Sequence, residues 1–303
     1  MLRPALVLTA LVIGAGCASS DDASPAPETT APASVPVLTE VWRVTDGLDR
    51  PESVVYDAQR DVLYVSNIRG GATEQDGNGF LSRVSVDGEM LDAEWLAGLD
   101  GPKGLALSGD RLYVSDIDEL VEVDIVAGEI VNRYPVNGAA FLNDVALEGS
   151  GSVYVTDTQT HRVHRLVNGQ MELWMEDERV QSPNGITFVD GSLLLAAADS
   201  ASDAARTTRY VRQVDPATKE LSVMTATVPE GSIDAIEVDG RGGYFVSYWA
   251  EARVMHTSPG VEASLVAEET EGTADLDYVA EQEMLYLPVM TEGQLVAYQV
   301  AWP

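Results

Sequence analysis

The chain has 303 residues, and a hydrophobic content of 45% with a mean hydropathy near zero is typical of a soluble globular protein. It carries 49 acidic residues against 18 basic ones, for a formal net charge of −31. A surface this negative repels phosphate backbones, which argues against nucleic acids as partners and favours cations. The same acid-rich, lysine-poor composition is typical of salt-adapted proteins, so the charge alone assigns no function.

The first 17 residues predict an export signal. Arg3 precedes an apolar stretch, Ala5–Ile13, which is too short to span a membrane comfortably and favours a cleaved signal over an anchor helix. Cys17, the only cysteine, ends the signal, so no internal disulfide is possible. Its position resembles a bacterial lipobox, although Gly14 stands where leucine is usual. We therefore expect lipidation at Cys17 and a lipid-anchored protein of the bacterial cell envelope; an ordinary secretory signal is the alternative.

A tether follows the predicted signal. Residues 18–37 are rich in proline, serine, alanine and threonine, with almost no large apolar side chains to bury. Such a segment is expected to stay disordered. Residues 38–303 then form a single folded body, which we expect to be monomeric and to contact the membrane only through the lipid on Cys17.

Six segments of this body share one pattern: a polar position near the start of a strand, an apolar pair, a turn and a second strand. The polar position, called the anchor below, recurs at intervals of 40–51 residues; the anchors are Glu52, Lys103, Asn143, Asn184, Asp234 and, as an apolar exception, Ala274. Repeats of ~40–50 residues with short strands are typical of propeller blades. The sequence therefore predicts an all-β, six-bladed propeller with four-stranded antiparallel blades. The N-terminal strand LTEVWRV and the C-terminal strand QLVAYQV are expected to share the closing blade, which removes two open edges.

The anchors are predicted to meet at one mouth of the central channel, because the first strand of each propeller blade lines that channel. The two longest repeats place their extra residues, 67–79 and 198–209, in loops over the same mouth. Carboxylates and carboxamides there suit a hard divalent cation such as Ca²⁺. The alternative is that these groups cap the channel and bond to buried backbone.

The sequence resembles the family of senescence marker protein (regucalcin) and gluconolactonase. The resemblance rests on PES at 51–53, LND at 142–144, PNG at 183–185 and the stretch DAIEVDG from Asp234. It implies a six-bladed propeller with a divalent metal in its channel and hydrolysis of a lactone or a similar ester. Carried over by position, Glu52, Asn184 and Asp234 would bind the metal, and Asp234 would also be the general base. Asn143 would contact the metal or the substrate; Ca²⁺ is the expected cation, with Zn²⁺, Mn²⁺ or Mg²⁺ possible.

Two positions depart from the family's pattern. Phe141 stands where sugar-lactone members commonly carry an arginine, which points to a less polar substrate or a lost activity. Lys103 would be repelled by a dication, so it must point aside, bind substrate or pair with a carboxylate. We expect Lys103 and Phe141 to contact the small-molecule substrate. The alternative for Lys103 is a pair with Glu52 or Asp234 that replaces the metal. The alternative function, favoured by Phe141 and Lys103, is a non-catalytic propeller that uses the same face to bind a ligand or an envelope protein.

Other candidate residues are predicted to be structural. His161 and His164 fall at positions of THRVHRL that face opposite sides of a strand, so a shared ion is not expected. Asp116 and Asp157 are expected to brace neighbouring backbone. The remaining conspicuous side chains are tryptophans predicted to pack between blades: Trp95, Trp174 and Trp249.

Overall fold

Short strands follow one another along residues 34–198, 209–224 and 228–303, the part of the chain that the computed structural model describes. Every regular element in these ranges is a β-strand, and none of their segments is a helix long and apolar enough to cross a membrane. The predicted signal with Cys17 and the tether up to residue 33 lie outside the described residues. The first strand begins at Val37, one residue before the predicted boundary.

The strands form six sheets of four antiparallel strands each. The first three blades are β2 (Pro51–Asp57), β3 (Val62–Asn67), β4 (Gly79–Ser85) and β5 (Met90–Leu99); β6 (Pro102–Ser108), β7 (Arg111–Asp116), β8 (Glu119–Asp124) and β9 (Glu129–Pro135); β10 (Leu142–Leu147), β11 (Val153–Asp157), β12 (Arg162–Val167) and β13 (Gln170–Met175).

The next two blades follow the same order in the chain. They are β14 (Ile186–Val189), β15 (Ser192–Ala197), β16 (Tyr210–Val214) and β17 (Leu221–Val223); β18 (Ile233–Val238), β19 (Tyr244–Tyr248), β20 (Arg253–Thr257) and β21 (Ser264–Glu268).

The sixth blade joins the two ends of the propeller. Its strands are β22 (Asp277–Val279), β23 (Met284–Val289), β24 (Gln294–Ala301) and β1 (Val37–Val44), in the order β1-β24-β23-β22. Val37 pairs with Ala301 and Val44 with Leu295, so the predicted shared closing blade is confirmed.

Six apolar clusters hold the ring together, and each lies between two neighbouring blades. Trp174 packs edge-on against Tyr154, with ring centroids 5.0 Å apart, in the cluster between blades three and four. Trp95 packs against Tyr64 at 4.9 Å in the cluster between blades one and two. The first strands of successive blades contact one another around the whole ring, from β2 through β22 and back to β2. These contacts confirm the predicted six-bladed propeller.

Aspartates at the ends of second strands fix the segments that enter the channel. Asp116 accepts hydrogen bonds from the backbone N–H groups of Asp100 and Gly101, the latter at 2.7 Å. Asp157 accepts the N–H of Phe141 at 3.1 Å. The structural role predicted for these two aspartates is confirmed.

Neighbouring first strands approach very closely at two glycines. A Cβ atom on Gly185 would lie 2.3 Å from the backbone oxygen of Asp234, and one on Gly104 would lie 2.6 Å from the Cα of Asp144. Side chains do not tolerate such contacts, so only glycine allows the strands this near to one another. The glycines of PKG and PNG thus allow the blades to close around a narrow channel.

Replacing Gly185 with alanine is therefore expected to destabilise the propeller. The added methyl must push β18 away, and overpacking of this kind costs about 1–3 kcal/mol of the free energy of unfolding. Gly149→Ala is the matched control, because nothing lies within 4 Å of a Cβ there. Thermal denaturation followed by circular dichroism should show a melting temperature several degrees lower for Gly185→Ala alone. Equal melting temperatures would contradict this description of the channel.

Candidate functional site

Anchor side chains enter the channel at β-bulges. In four first strands the pairing register with the second strand shifts across the anchor and the residue after it; the shifts lie between Pro51 and Val54, Pro102 and Leu105, Leu142 and Val145, and Ile233 and Ile236. A bulge bends the strand and re-aims a side chain. Each of these four blades thereby places one polar group at the start of its channel strand.

Hydroxyl groups on the second strands satisfy backbone groups that the bulges leave unpaired. Ser66 Oγ accepts the N–H of Ser53 at 2.9 Å, and Ser247 Oγ accepts the N–H of Ala235 at the same distance. In blade three, Thr156 Oγ1 accepts the N–H of Asp144 at 3.0 Å. The repeated V-S/T pair before the last residue of these second strands therefore supports the bulge and, through it, the anchor.

Six side chains that the sequence singled out line one cavity of about 350 Å³ at the channel mouth. They are Glu52, Lys103, Phe141, Asn143, Asn184 and Asp234. Ala274, the sixth anchor, instead packs with Ile68 and Met290, which also border the cavity. The structure thus brings five of the six anchors to one place, although they are spread over almost 200 residues of the chain.

The side chains of Asp234 and Asn184 are joined by a hydrogen bond. The Asn184 Nδ2 group donates to Asp234 Oδ1 at 2.6 Å, which leaves the Asn184 carbonyl oxygen for another partner. Arg209 lies close enough to stabilise the Asp234 carboxylate, and its guanidinium also donates to the backbone oxygen of Ser182. Burial nevertheless raises the pKa of Asp234 to about 6, against the opposing effects of Arg209 and Asn184.

Glu52 is the least satisfied group at the mouth. Its side chain is only 4% exposed, and its Oε2 atom is buried without a hydrogen-bond partner. Burial raises the pKa of Glu52 well above its usual range, and repulsion from Asp234 and Asp275 raises it further. A buried carboxylate with an unpartnered oxygen is costly unless a cation or a proton accompanies it.

The donor set at the mouth fits a hard cation. Glu52 and Asp234 supply carboxylate oxygens that repel each other, and Asn184 supplies an amide oxygen. Calcium accepts mixed carboxylate, amide and water ligands. No group of three or more His, Cys, Asp or Glu side chains with metal-binding geometry occurs among the described residues, and this set has only two carboxylates. Amide and water oxygens would have to complete the coordination.

Asn143 is held in place by a residue that the sequence did not single out. Its Nδ2 group donates to Thr158 Oγ1 at 3.2 Å, and the Thr158 hydroxyl donates to the backbone oxygen of Pro183 at 2.7 Å. Thr158 lies just after β11 and links blade three to the strand entry of blade four. This chain of hydrogen bonds positions the Asn143 amide on the cavity wall.

Lys103 forms no ion pair with Glu52 or Asp234. Its ammonium group is buried, since the residue is 1% exposed, and donates to the backbone oxygens of Gly101, at 2.7 Å, and Ala72, at 3.1 Å. These bonds draw the amine to the wall of the mouth. The direct pair of Lys103 with Glu52 or Asp234 is therefore not formed, although Glu52 attracts the ammonium group from a longer distance.

The loop at residues 67–79 and the side chain of Trp249 complete the described part of the mouth. The loop at residues 67–79 reaches the cavity through Ile68 and Ala72, as expected, whereas residues 199–208 of the opposite loop lie outside the described part of the chain. Trp249 was predicted to pack between blades, and this is wrong: it is 42% exposed and lines the mouth. Trp249 follows Tyr248, the last residue of β19, and therefore lies beyond the sheet rather than within it.

The two histidines of THRVHRL have separate surroundings. His161 Nδ1 accepts the N–H of Ser182 at 3.0 Å, while His164 is buried and faces Asp157 at 3.9 Å. Burial lowers the pKa of His164, which keeps it neutral near pH 7. The two imidazoles therefore have different partners.

A six-bladed propeller with a ring of polar anchors at its channel mouth is the class of protein that this geometry defines. The chain belongs to the SMP-30/gluconolactonase/LRE-like family, whose model matches residues 50–267. Membership supports a lactonase-type hydrolase at the level of the family. No curated protein sequence matches the chain significantly.

Solved structures share the fold at low sequence identity. A protein described as a putative gluconolactonase has a TM-score of 0.65 at 18% identity, over 88% of this chain and 93% of its own. A gluconolactonase from Xanthomonas campestris has a TM-score of 0.61 at 17% identity, over 89% and 99%. Virginiamycin B lyase from Staphylococcus aureus, in a catalytically inactive form with quinupristin, has a TM-score of 0.59 at 12% identity, over 88% and 100%.

A second set of carboxylates lines a cavity of about 170 Å³ farther along the channel strands. It comprises Asp144, Glu237, Asp275 and Asp277. Several of these carboxylates are bonded to the protein itself: Asp275 accepts the Ser53 hydroxyl at 2.7 Å, and Asp277 accepts the N–H of Tyr56 at 2.7 Å. Burial raises the pKa of Asp277 to about 6 despite that bond.

These raised pKa values make stability depend on pH. Between about pH 4 and pH 6 the unfolded chain releases the Asp277 proton while the folded protein keeps it, so stability falls as pH rises. A shift of this size corresponds to at most about 3 kcal/mol. Asp277→Asn keeps an acceptor for Tyr56 and should reduce the loss of stability between pH 4 and pH 7, measured by urea unfolding. An unchanged pH dependence would contradict the assignment.

Proposed function

We propose that the chain is a divalent-cation-dependent hydrolase that opens a lactone or a similar ester at the channel mouth. Glu52, Asn184 and Asp234 would hold the cation. The all-oxygen donor set favours Ca²⁺, Mg²⁺ or Mn²⁺ over Zn²⁺, and Ca²⁺ is the expected ion because it tolerates mixed carboxylate, amide and water ligands that the stricter octahedral geometry of Mg²⁺ does not. The observation that carries the proposal is Glu52: a carboxylate 4% exposed, with an unpartnered oxygen, repelled by the Asp234 carboxylate in the same cavity.

A cation bound by these oxygens would polarise the ester carbonyl and stabilise the negative charge that develops on its oxygen. The chain's own residues supply the remaining functions. Asp234, mostly ionised at neutral pH with its pKa of about 6, takes a proton from the water as the water oxygen bonds to the carbonyl carbon. It returns that proton to the alkoxide oxygen when the acyl C–O bond breaks, so that a hydroxy acid, or an acid and an alcohol, is released. The Asn143 amide, fixed by Thr158, orients the substrate beside that water.

The apolar side of the mouth indicates what kind of ester fits. Phe141 occupies the position where sugar-lactone members commonly carry an arginine, and Ile68, Trp249 and Met290 line the cavity with it. These side chains offer few partners to sugar hydroxyls. The substrate is therefore expected to have an apolar part.

A second candidate is a propeller that binds a ligand at this mouth without turning it over. The half-exposed Trp249, which lines the same cavity as Phe141, favours it, because aromatic side chains at a cavity rim suit binding as well as catalysis. The two candidates differ in one measurable property, which is turnover.

A panel of lactones and aryl esters separates these candidates. With Ca²⁺ we expect hydrolysis of at least one apolar lactone, loss of activity with EDTA, and recovery when Ca²⁺ is restored. Asp234→Asn should lower kcat/KM by about 100-fold or more, because it removes the base and a charged oxygen. Asp277→Asn is the matched control: it makes the same change at a buried channel carboxylate away from the mouth and should stay active.

Two results would contradict the hydrolase. One is the absence of turnover across the panel by a protein shown to contain a bound cation. The other is an Asp234→Asn variant as active as the wild type. The first result together with tight binding of an intact lactone would favour the non-catalytic candidate.

A further inference from the structure

Two cations without carboxylate partners lie in the wall of the same mouth. Most arginines in residues 34–198, 209–224 and 228–303 lie within 4 Å of a carboxylate, as expected in so acidic a chain. Arg50 and Lys103 both line the cavity, and neither has such a neighbour among the described residues. Glu52 lines the same cavity. Neither cation forms an ion pair with it, because both side chains are held in other positions.

Backbone and apolar groups hold both cations. Arg50 donates to the backbone oxygen of Gly70 at 2.7 Å and approaches the sulfur of Met290 at 3.9 Å. Lys103 uses two of its three N–H donors on the oxygens of Gly101 and Ala72. Its nitrogen lies 4.5 Å from the centroid of the Phe141 ring, which has no acceptor to offer beyond its π face. Neither charged group therefore has a carboxylate in direct contact, and Glu52 and Asp116 act on Lys103 only from a longer distance.

The backbone at Arg50 is held in an unusual conformation. Its φ angle is 55°, in the left-handed region, although the residue is not glycine and precedes a proline. The N–H of Ile68 donates to the Arg50 backbone oxygen at 3.2 Å and helps to maintain this conformation. Such strained residues persist where the surrounding structure holds them, and they concentrate at functional sites.

The two charges also act on each other. Burial, helped by repulsion from Arg50, lowers the pKa of Lys103 to about 8 against the attraction of Glu52 and Asp116. Like charges held near one another, with no carboxylate in direct contact, favour an anion between them. Arginine in particular suits a carboxylate, because its planar donors match the two oxygens.

We propose that Arg50 and Lys103 form an anion subsite, and that the ligand of this mouth carries a carboxylate on an apolar body that lies against Phe141 and Met290. For the hydrolase this names the substrate class, a lactone or ester that bears a free carboxylate, and that part rests on the proposed function. The net charge of −31 makes the protein surface as a whole repel such a ligand, so the subsite must supply the attraction locally.

Binding of a matched pair of probes tests the subsite without requiring turnover. Phenylacetate and phenylacetamide have nearly the same shape and differ in charge. Their affinities for the full chain can be measured by ligand-observed NMR, with EDTA and with Ca²⁺. We expect phenylacetate to bind at least about tenfold more tightly than phenylacetamide in both conditions, since a hydrogen bond to a charged oxygen is stronger than one to a neutral amide.

Variants assign the preference to these residues. Arg50→Gln should lower phenylacetate affinity about tenfold and leave phenylacetamide within about twofold, and Arg50→Lys should restore part of the loss. Arg241→Gln, the same change at an exposed arginine outside the mouth, is the control and should bind like the wild type. Lys103→Met keeps a buried apolar side chain of similar length and should lower phenylacetate affinity as Arg50→Gln does. If Lys103→Met does not fold, the Arg50 variants alone test the subsite.

Three results would overturn the subsite: equal affinities for the two probes, a preference unchanged in Arg50→Gln, or a preference seen only with Ca²⁺, which would assign the carboxylate to the cation. The outcomes also separate this proposal from the hydrolase. If no lactone is hydrolysed while Arg50→Gln still abolishes the preference, the subsite stands and the hydrolase falls. If lactones are hydrolysed without any preference for carboxylate-bearing substrates, the subsite alone falls.

Discussion

Repulsion between Glu52 and Asp234 is the constraint around which the mouth is organised. Both carboxylates are buried, and the bulges at the starts of β2 and β18 hold them in one cavity. Water cannot solvate them fully there, so ionising both requires a nearby positive charge. Asn184 and Arg209 partly stabilise Asp234, whereas Glu52 keeps an oxygen without a partner. We propose that a bound divalent cation supplies the positive charge that Glu52 lacks.

The carboxylates of the two channel cavities differ in their hydrogen-bond partners. In the cavity of about 170 Å³, called the lower cavity here, Asp275 and Asp277 accept hydrogen bonds from a hydroxyl and a backbone N–H group, so the protein supplies at least one partner to each. At the mouth, amides and cations are held by other contacts: Asn143 by Thr158, and Lys103 by two backbone carbonyls. Side chains fixed in this way offer their remaining donors and acceptors to a ligand. The mouth therefore resembles a binding site more than a cap on the channel.

The repeat in the sequence predicted the blades, the closing strand pair and five anchors of the mouth, because blade geometry converts a fixed interval into a position on a ring. It did not predict Arg50, which precedes an anchor and enters the cavity through an unusual backbone conformation. Nor did it predict that Trp249 faces the mouth, since that depends on where β19 ends. The Lys103 contact with Ala72 comes from the loop of another blade, and no local pattern encodes such a contact.

Calorimetric titration of divalent cations into the EDTA-treated protein tests the central claim most directly. One cation should bind per chain, with Ca²⁺ the favoured ion. Glu52→Gln should weaken binding at least about tenfold, because a charged ligand becomes neutral. Asp277→Asn removes a carboxylate of the lower cavity and should bind as the wild type does. Absence of binding for Ca²⁺, Zn²⁺, Mn²⁺ and Mg²⁺ alike, or binding indifferent to Glu52→Gln, would contradict the account.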